Sequence, residues 1–567
     1  MKVTDLLLLA LPVSALTLQK KASYVSNEAP TVKLRNGTYQ GVSSPEYQQD
    51  FFLGIPFAQP PVGDLRFRNP KPLNTSWEDS RNATQFSRAC VGYGYAHVEF
   101  EVSEDCLYLN VIRPSGINNS DSGLPVAVWI HGGAFSQGSG IDRRQNLSFV
   151  VQESVAHGTP MLGVTINYRL AAWGFLSGYE ASEDSGSNHG IRDQRLALEW
   201  IQENIAAFGG DPKKVTIWGQ SAGAASVGLH ITAYDGRDDG LFRSGIMQSG
   251  APAYFGDQSR TEYYQGLYRN LTSSVACNGT SDSLACLRKV PYTDLNAALN
   301  TTAFQRVWWP QIDGDIIKRH SSQQLAEGSF IHVPILIGAT TDEGTSFTPP
   351  GANSTEIVGR QILASETAPR MNASFLEKIL AVYPDDPSQN LLANLGPTFR
   401  PGPPEGLQYR RAVTYHSDAM FIAHRRGSCQ TWASFNLTAY CFRFNAIPAW
   451  ADQLDGAAHF VDVAFSMLAL SGDGYAPYRK PPFEGKPKSY TDLARLMSND
   501  FISFVTNGHV KWEGREAFGV PEWPQYSLLE PRDFVYDANV TSFVEPDTFR
   551  EEAIALINSA ALEVYGR

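Results

Sequence analysis

The pentapeptide Gly219-Gln220-Ser221-Ala222-Gly223 sets one hydroxyl among small residues. The apolar run Val215–Trp218 leads into it, and the small-residue segment Ala224–His230 follows. A strand that turns sharply into a helix holds a serine in strained geometry, open to an incoming carbonyl. Taken alone, the pentapeptide also fits a glycine-rich turn with an inert serine; the strand before it favours chemistry. A serine used in this way performs nucleophilic acyl transfer. It needs a base to take its proton and an acid to orient that base. Upstream, His131-Gly132-Gly133-Ala134-Phe135 directly follows the apolar run Val126–Ile130. Two glycines at a strand end expose backbone N–H groups. Those of Gly132 and Gly133, with that of Ala222, can surround the oxygen that turns negative in a tetrahedral intermediate. Residue type does not select the base, because the chain has 11 histidines.

Such groups must be carried by regular elements. Val126–Ile130, Leu162–Ile166, Val215–Trp218 and Ile335–Ile337 are short apolar runs without alternation, the mark of strands covered on both faces. Between them, Leu198, Ile201, Ile205 and Phe208 recur at helical spacing and predict a helix over 191–208, stopped by Gly209-Gly210. Strands alternating with helices imply one mainly parallel sheet. The segment from Gly351 to Arg426 reads as mostly helical, with Pro397–Pro404 as a long loop rather than a domain boundary.

The chain has 567 residues, of which 43% are hydrophobic, enough for a large core. Its 46 Lys and Arg against 58 Asp and Glu give a net charge of −12. With no basic block, this composition argues against a nucleic-acid partner. Residues 1–15, with Lys2, an apolar core from Leu6 to Leu11 and Val13-Ser14-Ala15, match a secretory signal peptide. No run reaches the roughly 18 apolar residues of a membrane span, so no integral membrane anchor is expected. Asn36, Asn74, Asn82, Asn118, Asn146, Asn270, Asn278, Asn300, Asn353, Asn372, Asn436 and Asn539 begin Asn-x-Ser/Thr sequons. Chance would supply roughly four, so a glycosylated, secreted, extracellular protein is expected. The six cysteines fall as near neighbours, Cys90/Cys106, Cys277/Cys286 and Cys429/Cys441. Local disulfide pairing is the simplest arrangement in an oxidising compartment, with Cys429 and Cys441 the ones that could instead stay free and buried.

Phe208-Gly209-Gly210 followed by Val215-x-Ile217-x-Gly219-x-Ser221-Ala222-Gly223 resembles the signature of the type-B carboxylesterase family, which includes cholinesterases and secreted fungal lipases. Glu104-Asp105-Cys106-Leu107-Tyr108-Leu109-Asn110-Val111 resembles its second signature. Gly54-Ile55-Pro56-Phe57-Ala58, Leu65-Arg66-Phe67 and Met247-Gln248-Ser249-Gly250 are similar to further family segments. The resemblance implies an α/β-hydrolase fold: a large, mostly parallel central sheet covered by helices, with an N-terminal β segment and helical insertions. It also implies a single catalytic domain over residues 16–567. It places the acid on Glu343 of Thr341-Asp342-Glu343-Gly344-Thr345, with Asp342 as the competing carboxylate. It places the base on His459 of Gly456-Ala457-Ala458-His459-Phe460-Val461-Asp462-Val463. The order Ser221, Glu343, His459 is that of α/β-hydrolases. His131 and His230 are left to packing.

The implied activity is secreted carboxylic ester hydrolysis on a small-molecule ester, through a Ser-His-Glu triad and an acyl-enzyme, with no cofactor and no metal. A triacylglycerol lipase of the same family is the alternative; a catalytically inactive cholinesterase-like binding protein and a serine carboxypeptidase are more distant ones. Two departures bear on substrate. Gln220 stands where cholinesterase-like members often carry Glu, so the carboxylate that attracts cationic esters is missing. The Cys90–Cys106 loop is short and holds no Trp, unlike the cholinesterase loop or the longer lipase lid; Tyr93, Tyr95 and Phe100 are its candidates for lining an entrance.

Overall fold

The computed structural model describes residues 29–567 except 118–122, 254–255 and 478. The expected signal peptide over residues 1–15 and the sequon at Asn118 lie outside these residues. The architecture is an α/β-hydrolase sheet of eleven strands. From one edge to the other the order is Phe543–Pro546, Arg532–Tyr536, Ala439–Phe444, Ile335–Thr340, Ser244–Gln248, Gly210–Gln220, Leu124–Ile130, Leu162–Ile166, Tyr108–Pro114, Gln49–Pro56 and Val42–Ser44. The seven strands from Arg532–Tyr536 to Leu162–Ile166 pair in parallel. The outer strands pair antiparallel. A small N-terminal sheet of Thr31–Leu34, Gly37–Gln40 and Ser80–Asn82 sits beside it.

Both faces of the parallel strands are covered, which is why they read as unbroken apolar runs. Val126, Val128 and Ile130 pack into one core with Leu198, Ile201 and Ile205 and with the helix that starts at Ala222. Ala127 and Trp129 point the other way, into a second core with Phe501, Phe504 and Val505 of the helix Lys488–Asn507. The expected helix over 191–208 is an α-helix, His189–Asn204, whose last turn tightens to the 3-10 segment Ile205–Phe208 before Gly209. The region expected to be mostly helical contributes Thr355–Ala364, Ala373–Val382, Tyr409–Ser417 and Ala423–Ser434, with irregular backbone between Tyr383 and Gln408. These pack with the helix Glu551–Ser559 as a third core.

The cysteines form three local disulfides, Cys90–Cys106, Cys277–Cys286 and Cys429–Cys441. Among the described sequons, nine asparagines are exposed, and Asn36 and Asn146 are half-buried. No helix among the described residues is long and apolar enough to cross a membrane.

Candidate active site

Ser221 ends the strand Gly210–Gln220 and begins the next helix with φ 56° and ψ −124°. Positive φ at a non-glycine residue is strained, and tertiary bonds hold it here. The Ser221 N–H donates to Gln248 O (2.9 Å), and its carbonyl accepts from Ala225 N–H (2.8 Å), the first bond of the helix. The tight turn presses backbone on backbone: a Cβ on Gly223 would lie 2.0 Å from the carbonyl oxygen of Ile130. The small residues of the pentapeptide are therefore a packing requirement. The Ser221 side chain opens into a cavity.

The strand Ile335–Thr340 delivers Glu343 on the turn that follows it. Glu343 is fully buried. One carboxylate oxygen accepts the Thr340 N–H at 2.8 Å, and the other meets His459 Nδ1 at 2.5 Å. The π turn Asp418–Ile422 carries Phe421, whose ring stacks on the imidazole at 4.7 Å; Phe347 meets it edge-on at 5.1 Å. His459 is thus fixed by a carboxylate at one nitrogen and by aromatic faces on its plane. Its other nitrogen, Nε2, faces the side-chain amide of Gln220 at 3.3 Å and lines the same cavity as Ser221. Asp342, the competing acid, turns elsewhere. Its two oxygens accept the N–H groups of Leu392 (2.9 Å) and Ala457 (2.8 Å), tying two loops together.

Gly132 and Gly133 border the cavity beside Ser221. A Cβ on Gly132 would meet Gln220 O at 2.5 Å, so glycine lets this loop close over the elbow. His131 stays out of the chemistry. It stacks on Tyr168 at 4.4 Å, its Nδ1 lies 2.9 Å from Gly132 O, and burial lowers its pKa to about 4. His230 is likewise buried, against Gln194 at 3.0 Å, with a pKa lowered to about 3.

One polar group beside Glu343 and His459 had no role assigned from sequence. Asp462 is fully buried three residues after His459. Trp218 Nε1–H donates to Gln248 Oε1 (2.7 Å), and Gln248 Nε2–H donates to Asp462 Oδ2 (2.7 Å). Burial, reinforced by the charge of Glu343, raises the Asp462 carboxyl to about 7. Gln248 and Asp462 both stand in family-like segments; what the segments do not reveal is that the two side chains meet.

The cavity has a volume of about 1290 Å³. Tyr95, Trp309, Phe347 and Trp450 line it. Of the entrance candidates in the Cys90–Cys106 loop, only Tyr95 does so. Tyr93 is buried instead, accepting from Trp173 Nε1–H and donating to Asn296, both at 2.9 Å. Phe100 packs on His97. Trp308 belongs to the core, whereas its neighbour Trp309 reaches the cavity.

A model of the carboxylesterase family matches residues 28–547. Lipase 1 of Geotrichum candidum is 35% identical over 446 residues, 70% of this chain and 77% of that protein. Secreted lipase 1 of Botryotinia fuckeliana is 34% identical over 542 residues, 88% of each. A crystal structure of Aspergillus niger EstA superposes with a TM-score of 0.81 at 26% identity, covering 95% of this chain and 99% of that one.

Proposed function

Since this chain belongs to the carboxylesterase family and is a carboxylic ester hydrolase, we propose that Ser221, His459 and Glu343 are its catalytic triad. The observation that carries this reading is the buried Glu343–His459 contact of 2.5 Å, set on the same cavity as a serine in elbow geometry. Neutral His459 accepts the Ser221 proton at Nε2 as the hydroxyl oxygen attacks the ester carbonyl. The N–H groups of Gly132, Gly133 and Ala222 stabilise the tetrahedral oxyanion. The intermediate collapses, His459 returns the proton to the departing alcohol, and the acyl group stays on Ser221. Water then attacks the acyl-enzyme by the same route, releasing the acid. Glu343 holds the productive tautomer and offsets the imidazolium charge.

The Ser221→Ala variant should lose about 10⁶ in kcat on a soluble 4-nitrophenyl ester, by comparison with other serine triads. Retained turnover would assign the nucleophile elsewhere. The same reading has the protein exported, with residues 1–15 removed and the exposed sequons glycosylated. The described relatives named as lipases, one of them as secreted, support export and favour a second substrate reading, triacylglycerols. Rates on emulsified long-chain triacylglycerol against a soluble short-chain ester distinguish the two.

A further inference from the structure

The chain carries a net charge of −12, yet the cavity above Ser221 has a basic lining. Arg360 projects from the helix Thr355–Ala364, whose residues Ile357, Arg360, Gln361 and Ala364 lie at helical spacing along the cavity wall. Arg306 enters beside Trp309. Arg479 stands 5.9 Å from each of the Tyr95 and Trp450 rings. Other ions of the lining are neutralised: Arg144 by Asp142 at 2.6 Å, Lys480 by Glu484 at 3.6 Å, and Glu366 by Arg260. Among the described residues, Arg306 and Arg479 have no ion-pair partner, Arg360 has only the exposed Glu356 one turn before it on its own helix, and Asp455 is the one lining acid without a cation. His416 adds a buried imidazole whose Nε2 has no hydrogen-bond partner.

Arg306 and Arg360 are exposed and Arg479 is half-buried, so a plain alkyl chain laid along these walls would meet hydrated guanidinium groups rather than apolar surface. A carboxylate would pair with them instead, and guanidinium geometry suits it. We propose that the ester hydrolysed here bears a second, ionised carboxyl group remote from the scissile bond, held by Arg306, Arg360 and Arg479 while the ester carbonyl lies over Ser221. This proposal rests on the ester-hydrolase reading and narrows it to half-esters of dicarboxylic acids and related anionic esters.

Two substrates of equal acyl length test it: the mono-4-nitrophenyl ester of adipic acid, which is anionic, and 4-nitrophenyl hexanoate, which is neutral. The parent protein should show a higher kcat/KM on the anionic ester. That preference should fall roughly tenfold in the Arg306→Gln/Arg360→Gln/Arg479→Gln variant, in line with the lower range of electrostatic steering effects. It should also fall in the parent when salt is raised to about 0.5 M, where screening shortens the reach of exposed charge. The salt series decides the matter even if the triple variant fails to fold. A preference that survives the salt series or the substitution, or is absent from the start while hexanoate is turned over, overturns the proposal and leaves the ester-hydrolase reading standing. Failure of the parent to hydrolyse either ester overturns both.

Discussion

Gln220 occupies a position with two consequences. Its backbone ends the strand that delivers Ser221, and its side-chain amide lies 3.3 Å from the His459 nitrogen proposed to receive the serine proton. A carboxylate there would favour imidazolium, because opposite charge stabilises the charged form. The Gln220→Glu variant should therefore lose activity at higher pH than the parent: the acid limb of kcat/KM against pH moves upward by about one unit. The same variant should gain relative turnover on cationic esters. A pH profile that does not move would show that the amide is not set against the base in solution.

At the scale of elements, the elbow depends on backbone approaching backbone. The Gly223→Ala variant should be destabilised by about 3 kcal/mol, the upper range for overpacking, since the added carbon meets a carbonyl of the central strand Leu124–Ile130. Urea unfolding measures the loss, and a midpoint equal to the parent's would mean that the turn can relax. What the chain discloses in advance follows from what each element is covered by. Four of the seven parallel strands were legible because burial on both faces favours consecutive apolar residues; Ser244–Gln248, Ala439–Phe444 and Arg532–Tyr536 were not, since Ser244, Gln248, Arg443, Arg532 and Asp533 break their apolar runs. The edge strands Val42–Ser44 and Phe543–Pro546 were not, because their residues are only half-buried or exposed and polar residues interrupt them. Ser221 and the glycine loop could be read from local spacing. Glu343 and His459 needed the family resemblance, since they lie 122 and 238 residues beyond Ser221 by number and no local rule pairs them. The Gln248–Asp462 bond and the basic cavity wall were invisible for a related reason: each is an encounter between segments that only the finished fold brings together.

For the molecule as a whole, the buried imidazoles set the response to acid. Seven of the 11 histidines (His97, His131, His189, His230, His320, His416 and His424) have their pKa lowered, chiefly by burial. Below the ordinary imidazole value of about 6.5 the unfolded chain takes up protons that the folded chain refuses, so stability is lost as pH falls. The raised carboxyls Glu199, Asp342, Asp462, Asp500 and Asp533 act in the opposite sense: the folded state keeps their protons to higher pH, so their contribution declines as pH rises from about 4. The histidines outnumber them, and the thermal midpoint should drop between about pH 6.5 and pH 4. A midpoint that climbs over that interval in a calorimetric series would mean that the raised carboxyls, and not the histidines, set the response to acid.

The groups proposed to make and break the bond lie on segments that follow four strands of the parallel sheet, Leu124–Ile130, Gly210–Gln220, Ile335–Thr340 and Ala439–Phe444. The arginines and aromatic rings around them hang on segments outside those strands. Reaction and appetite are thus built on separate scaffolding, and a descendant of this chain can trade one diet for another by rewriting its excursions while the machinery beneath stays put.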